Sequence, residues 1–249
     1  MGKVASTSLA INKKIDKLPV YPDLSQTLTY KWDKFAVTAD WHLPFIDVEF
    51  FKRFIKDCHT QKVKKLVIAG DFFDMNAFGF FFSHNRVPWK EEKECAKKVM
   101  SILQEQFDEI VFIVGNHEIR FLRALADKFQ GNIYDIYELI GFTDYDNITL
   151  KNKVIVNDWM ITHPKNARKN SLSLGNDLSN IYKGYNIIVT HAHRQSLGRD
   201  FSGSHWVMDL GLMSDPKMHE YIHYNVGAFA NWNQGYSIIT DNFPTLYWK

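Results

Sequence analysis

"KKLVIAGDFFD", residues 64–74, is the stretch whose reading decides the architecture. Leu66 to Gly70 form an unbroken apolar run behind two lysines. Asp71 ends the run and Asp74 follows three residues later. A short continuous apolar run between polar bounds predicts a strand buried on both faces, the kind found in parallel sheets covered by helices. The two carboxylates are set among Phe72, Phe73 and the apolar run, where an ionised group needs compensation. The partners that supply it must come from elsewhere in the chain.

Upstream, "KFAVTAD" (Lys34–Asp40) is another short strand that stops at a carboxylate. Between the two, "DVEFFKRFIKDCHT" (Asp47–Thr60) places Phe51, Phe54, Ile55 and Cys58 at helical spacing. Downstream, Pro88 to Phe107 reads as a helix opened by proline, with Ala96, Val99 and Leu103 on one face. "DEIVFIVGNHE" predicts a third strand, and "EIRFLRALADKF" a helix after it. "KVIVNDWMITHP", "YNIIVTHAHR", "SHWVMDLG" and "GYSIITDNFPTLYW" supply further strands. Strands alternating with helices, followed by more strands, predict a layered α/β domain with a second sheet packed on the first. Residues 1–30 read as an N-terminal extension and residues 31–249 as a single domain.

Composition narrows the function less than pattern does. In 249 residues, 45% hydrophobic and 23% charged content are ordinary for a globular chain. A net charge of +2 excludes a global basic field, so nucleic-acid binding would need a local patch. Cys58 and Cys95 lack zinc-type spacing and read as reduced thiols. No stretch is long and apolar enough to span a bilayer, and the N-terminal segment lacks the apolar core of a secretory signal, so a cytoplasmic location is expected.

Five fragments share one feature: each is an apolar strand that stops at side chains able to bind a metal. They are "ADWH" (Asp40, His42), "GDFFD" (Asp71, Asp74), "GNHE" (Asn116, His117, Glu118), "THP" (His163) and "THAH" (His191, His193). Any one alone reads equally as a turn or a cap. Together, at strand ends of an α/β sheet, they converge on one rim. Carboxylate oxygen, imidazole nitrogen and amide oxygen in combination suit manganese, iron or zinc.

In this order the fragments resemble the calcineurin-like metallophosphoesterase superfamily, whose pattern is D-x-H, G-D-x-x-D, G-N-H-[DE], a single histidine, then G-H-x-H. The small phage and bacterial members are the nearest in form. The resemblance implies a four-layer α-β-β-α sandwich of two mixed sheets with two divalent metals on its rim, manganese above iron, zinc or nickel. It implies that Asp40, His42 and His193 hold one metal, that Asn116, His163 and His191 hold the other, and that Asp71 bridges them. It further implies hydrolysis of a phosphate ester by hydroxide between the metals, with His117 as general acid, paired with Asp74. Three departures stand out. Met75-Asn76 replaces the Arg-Gly of the protein phosphatases, Thr190 replaces a glycine, and Pro164 follows the lone histidine.

Substrate signals are sparser. Arg120 reads either as a phosphate clamp or as the partner of a surface carboxylate, and His84, Arg86 and Arg168 are candidate substrate contacts. Phe80–Phe82 read either as core or an oligomer contact, or as site lining. Lys165, Arg168 and Lys169 read either as a solvated loop or as an anion-steering patch. The expected activity is a phosphodiesterase on a nucleotide or nucleic acid. Alternatives are a phosphomonoesterase on small molecules or phosphopeptides and a non-catalytic metal-binding scaffold. Neither a membrane partner nor an oligomeric state is indicated.

Overall fold

The computed structural model describes residues 27–79, 86–121, 123, 147–219 and 232–249. His84, Phe80–Phe82, most of the expected N-terminal extension and most of the helix expected over 118–129 lie outside the described residues.

Two six-stranded mixed sheets make up the centre. One contains β2 (Lys34–Thr38), β3 (Lys65–Ala69), β4 (Glu109–Ile113), β5 (Ile148–Lys151), β11 (Gly235–Thr240) and β12 (Phe243–Trp248), in the order β12-β11-β2-β3-β4-β5. The other contains β1 (Leu28–Tyr30), β6 (Lys153–Val156), β7 (Trp159–Thr162), β8 (Asn186–Val189), β9 (Ser196–Arg199) and β10 (Trp206–Asp209), in the order β1-β6-β7-β8-β10-β9. Helices α1 (Val48–Thr60) and α2 (Trp89–Gln106) cover the outside of the first sheet, and α3 (Ser173–Ile181) covers the outside of the second. This is the four-layer sandwich expected from the sequence.

Alternation along the strands produces the layering. Leu66 and Ile68 of β3 and Ile110 and Phe112 of β4 pack with Phe50, Phe54 and Leu103 under the helices. Val67, Ala69, Val111 and Ile113 turn the other way, onto Trp159, Ile161, Ile188 and Met208 of the facing sheet. Because successive side chains point to opposite faces, an unbroken apolar strand is what two buried faces require. Burying each such side chain contributes about 1.5–3 kcal/mol.

Strands β2, β3, β4 and β5 run parallel, as do β7, β8 and β10. Their C-terminal ends therefore open at common edges, where the metal-capable fragments begin. Two of the expected strand stretches are hairpins. "KVIVNDWMITHP" turns at Asn157 (φ 54°) to pair β6 with β7, and "GYSIITDNFPTLYW" turns at Asp241 and Asn242 (φ 49° and 67°) to pair β11 with β12.

Candidate metal centre

The loops beyond β2 and β3 run side by side. Asp40 N–H donates to Gly70 O (3.0 Å), His42 N–H to Asp71 O (3.0 Å) and Leu43 N–H to Phe72 O (2.9 Å). Within these loops the backbone turns through the left-handed region at Asp40 (φ 52°), His42 (44°) and Asp71 (50°), and it does so again at His191 (76°) and His193 (55°). A non-glycine residue there is strained by about 1–3 kcal/mol. Close approach leaves no alternative at two glycines. A Cβ on Gly70, itself at φ 88°, would lie 2.2 Å from His163 Nδ1, and one on Gly115 would lie 2.1 Å from Asp71 Oδ1.

These turns gather the side chains into adjoining groups. Nε2 of His193 lies 3.3 Å from Asp40 Oδ1 and 3.2 Å from His42 Nε2. Nε2 of His163 lies 3.3 Å from Asp71 Oδ2 and 2.9 Å from Asn116 Oδ1, and His191 completes that group. In each of the sets Asp40–His42–His193, His42–Asp74–His117 and Asp71–His163–His191, the candidate ligand atoms lie within 4.8 Å of one another. All seven residues expected as ligands thus belong to this one centre.

The groups suit a divalent cation. Asp40 Oδ1, Asp71 Oδ2, His191 Nδ1 and His193 Nδ1 are buried without a hydrogen-bond partner among the described residues. The two carboxylate oxygens face only the neighbouring imidazoles, at 3.3 Å, and a buried carboxylate without well-formed hydrogen bonds is costly. A cation among these oxygens and imidazole nitrogens removes that cost, and the mixed O/N donor set is one that manganese, iron or zinc accepts.

A second layer fixes the donors. Thr190 Oγ1 donates to Ala69 O (2.9 Å) and lies 2.7 Å from His163 Nδ1, which also approaches Ala69 O (3.0 Å). With Nδ1–H donated there, Nε2 is the ring nitrogen of His163 that faces Asp71 and Asn116. Glu118 carboxylate oxygens accept from the backbone of Asp71 (3.1 Å), Phe73 (3.0 Å) and Gly115 (2.8 Å), tying the loop after β3 to the loop after β4. His117 N–H donates to Asp71 Oδ1 (2.8 Å), and His191 N–H to Asp40 Oδ2 (3.2 Å).

Charge alternates across the centre. Burial alone would raise Asp71, but the His163 and His117 imidazoles outweigh it and hold the carboxyl well below the usual range. Asp40 is lowered in the same way, burial being overcome by His193. Burial opposes protonation of His163, yet Asp71 lifts it to about 9. His42 and His191 are pushed down to about 4, by burial first and then by His117 and His163 respectively. His117 is raised, because Asp71 and Asp74 outweigh burial and the opposing Arg120.

The Asp74–His117 pairing differs in detail from the expectation. Asp74 Oδ1 sits 3.4 Å from His117 Nδ1 and 3.3 Å from His42 Nδ1, so the carboxylate serves both rings. The shortest contact of His117 Nδ1 is to the Asp74 main-chain oxygen, at 2.7 Å. Arg120 donates to the other ring nitrogen, Nε2 (2.7 Å), and to Asp74 O (3.1 Å). The remaining substrate candidates have protein partners. Arg86 donates to Gly79 O (3.0 Å), and Arg168 closes on Asp177 through Nε (3.1 Å) and Nη2 (2.9 Å).

Two neighbours carry no motif and were not anticipated. His219, 3% exposed, has its ring centroid 5.0 Å from that of His42, and its Nε2 lies 2.8 Å from Ser214 Oγ. Trp232 stands edge-on to His193 with centroids 4.0 Å apart. Glu118 was visible in the sequence only as one more metal-capable side chain, and its backbone contacts depend on two loops meeting.

Residues 33–230 match the family described as calcineurin-like phosphoesterase. The Gene 54 protein of Mycobacterium phage L5 is 21% identical over 232 residues, covering 83% of this chain and 88% of that protein. Among solved structures, a single-mutant Vps29 from Entamoeba histolytica aligns with TM-score 0.47 and 13% identity, over 86% of this chain and 91% of its own. An uncharacterised predicted phosphoesterase of Streptococcus pneumoniae aligns with TM-score 0.39 and 12% identity, over 87% and 98%.

Proposed function

This chain belongs to the calcineurin-like phosphoesterase family, and from that premise we propose that it is a metal-dependent phosphodiesterase acting on a nucleotide or nucleic acid. The observation that carries the reading is the pair of buried carboxylate oxygens, Asp40 Oδ1 and Asp71 Oδ2, each 3.3 Å from a histidine nitrogen at strand ends and neither in a well-formed hydrogen bond. Asp40, His42 and His193 would hold one cation. Asp71, Asn116, His163 and His191 would hold a second. When bound, such cations supply Lewis acidity to the phosphate and make a neighbouring water acidic enough to ionise near neutral pH.

The chain's own residues would do the rest. Water oxygen bonds to phosphorus, its proton passing to solvent, as the opposite ester bond breaks, and the leaving oxygen takes a proton from His117 Nε2. Asp71 and Asp74 favour that proton on His117. Arg120 covers Nε2 in this structure, so substrate phosphate would draw its guanidinium away and free the nitrogen to carry the proton. Among the described residues, Arg120 is the one guanidinium hydrogen-bonded to His117 or Asp74. That guanidinium would take a non-bridging phosphate oxygen once it leaves His117.

Hydrolysis of bis-p-nitrophenyl phosphate and p-nitrophenyl phosphate, measured with added manganese, tests the reading. Faster turnover of the diester is expected. Faster turnover of the monoester would replace the reading with a phosphomonoesterase. Retained metal with neither ester cleaved would leave a binding scaffold.

A further inference from the structure

The metal centre is flanked on two sides by surfaces of different chemistry, and the turn His193–Gln195 ties both to it. On the His42 and His193 side, Phe45, His219 and Trp232 form an aromatic row, with centroids 5.9 Å apart from Phe45 to His219 and 5.5 Å from His219 to Trp232. Phe45 and Trp232 are half-buried. The row is anchored to the ligand segment: Asn233 N–H donates to His193 O (3.0 Å), and Asn233 Oδ1 accepts from Gln195 N–H.

On the His163 side, the chain leaves the ligand through Pro164 into an exposed run that carries Lys165, Arg168 and Lys169. Its backbone is held in place by Arg194, whose guanidinium donates to Arg168 O (2.6 Å) and to Lys169 O. Asp177 occupies Arg168, which leaves the ammonium groups of Lys165 and Lys169 without an ion pair among the described residues. A chain with a net charge of only +2 thus concentrates four cations next to the metal ligands.

We propose that these two flanks and the metal centre form one groove for single-stranded nucleic acid. Trp232 and Phe45 stack an unpaired base, and Lys165 and Lys169 hold the neighbouring phosphates. The inference rests on the phosphodiesterase reading for the cleaved bond, but its own evidence is the pairing of stacking surface with cationic rim. Sequence-tolerant binding of single strands uses that combination. Recession of the centre favours a single strand over a duplex. Asp40 and Asp71 are fully buried at its floor, and a flexible backbone with splayed bases can dip to them where a stacked duplex cannot.

Binding of a fluorescein-labelled oligothymidylate of about eight nucleotides, followed by anisotropy in a His117→Ala background with manganese, provides the test. Trp232→Ala is expected to weaken binding about 5- to 100-fold, with Trp232→Phe retaining most of it. Lys165→Ala/Lys169→Ala should weaken binding and reduce the slope of log affinity against log salt by about 1.4. Lys97→Ala/Lys98→Ala, on the outer helix α2, should stay within about twofold of the parent, and a duplex of equal length should bind more weakly. Unchanged affinity in Trp232→Ala, an equal loss in the Lys97/Lys98 variant, or equally tight duplex binding would each overturn the groove. An enzyme that cleaves bis-p-nitrophenyl phosphate yet fails in this way keeps its phosphodiesterase reading. A protein that binds in the expected pattern and cleaves no ester keeps the groove and loses that reading.

Discussion

His117 and the candidate ligands can be separated by experiment, because His117 meets the centre through its backbone N–H and its ring stands between Asp74 and Arg120. His117→Ala should retain bound metal, measured by elemental analysis, while turnover falls about 10²–10⁴-fold. Gly115→Ala should behave oppositely: its Cβ would collide with Asp71 and Glu118, so metal content and folding should both fail. Asp209 gives a pH-dependent case away from the ligands. Burial holds its carboxyl up to about 6 from the ordinary 3.8, against the lowering effects of Leu172 N–H and Arg194. The folded state therefore prefers the protonated acid. That contribution is complete below about pH 4 and is lost as pH rises through about 6. Asp209→Asn removes the loss, so relative to the parent it should gain about 2–3 kcal/mol between pH 4 and 8, read from urea midpoints at both. The metal-capable residues were legible in the sequence because each follows its own strand within a few positions. His219 and Trp232 were not, since only tertiary contact brings them beside His42 and His193.

Elements were legible wherever local pattern and burial agree. The apolar periodicity of residues 47–60 became α1, and its N-cap is Asp47, whose carboxylate accepts from Phe50 N–H (3.0 Å). The same carboxylate accepts from Gln234 (3.0 Å) and Lys249 (2.5 Å), joining the helix start to the C-terminal end of the chain. Asp47→Ala should cost about 1–2 kcal/mol in chemical denaturation, while Asp47→Asn should recover most of the cap. Helix α3 escaped notice for the converse reason. It begins after Leu172 at φ 64° with no side-chain cap, so the usual Ser/Thr/Asp signal is absent. The short edge strands β1 and β9 likewise carry little pattern of their own and take their form from the neighbours they pair with.

At the scale of the whole molecule, two sheets are locked together by an apolar layer, while one edge gathers buried carboxylates and imidazoles. A cation that binds only the folded chain adds stability by mass action. Manganese at about a hundredfold over its dissociation constant contributes about 2.7 kcal/mol. In a chain of this size the melting temperature should then rise by about 5–10 °C, and excess chelator should reverse it. An unchanged melt would argue against cation capture by this edge. The left-handed turns at Asp40, His42, Asp71, His191 and His193 add an evolutionary corollary. Asparagine or glycine tolerates those conformations better, so drift toward them would yield a sturdier chain without its metal-capable side chains. Descendants that trade these side chains away should therefore outlast the parent on heating, and selection for robustness alone would erase the metal-capable rim first.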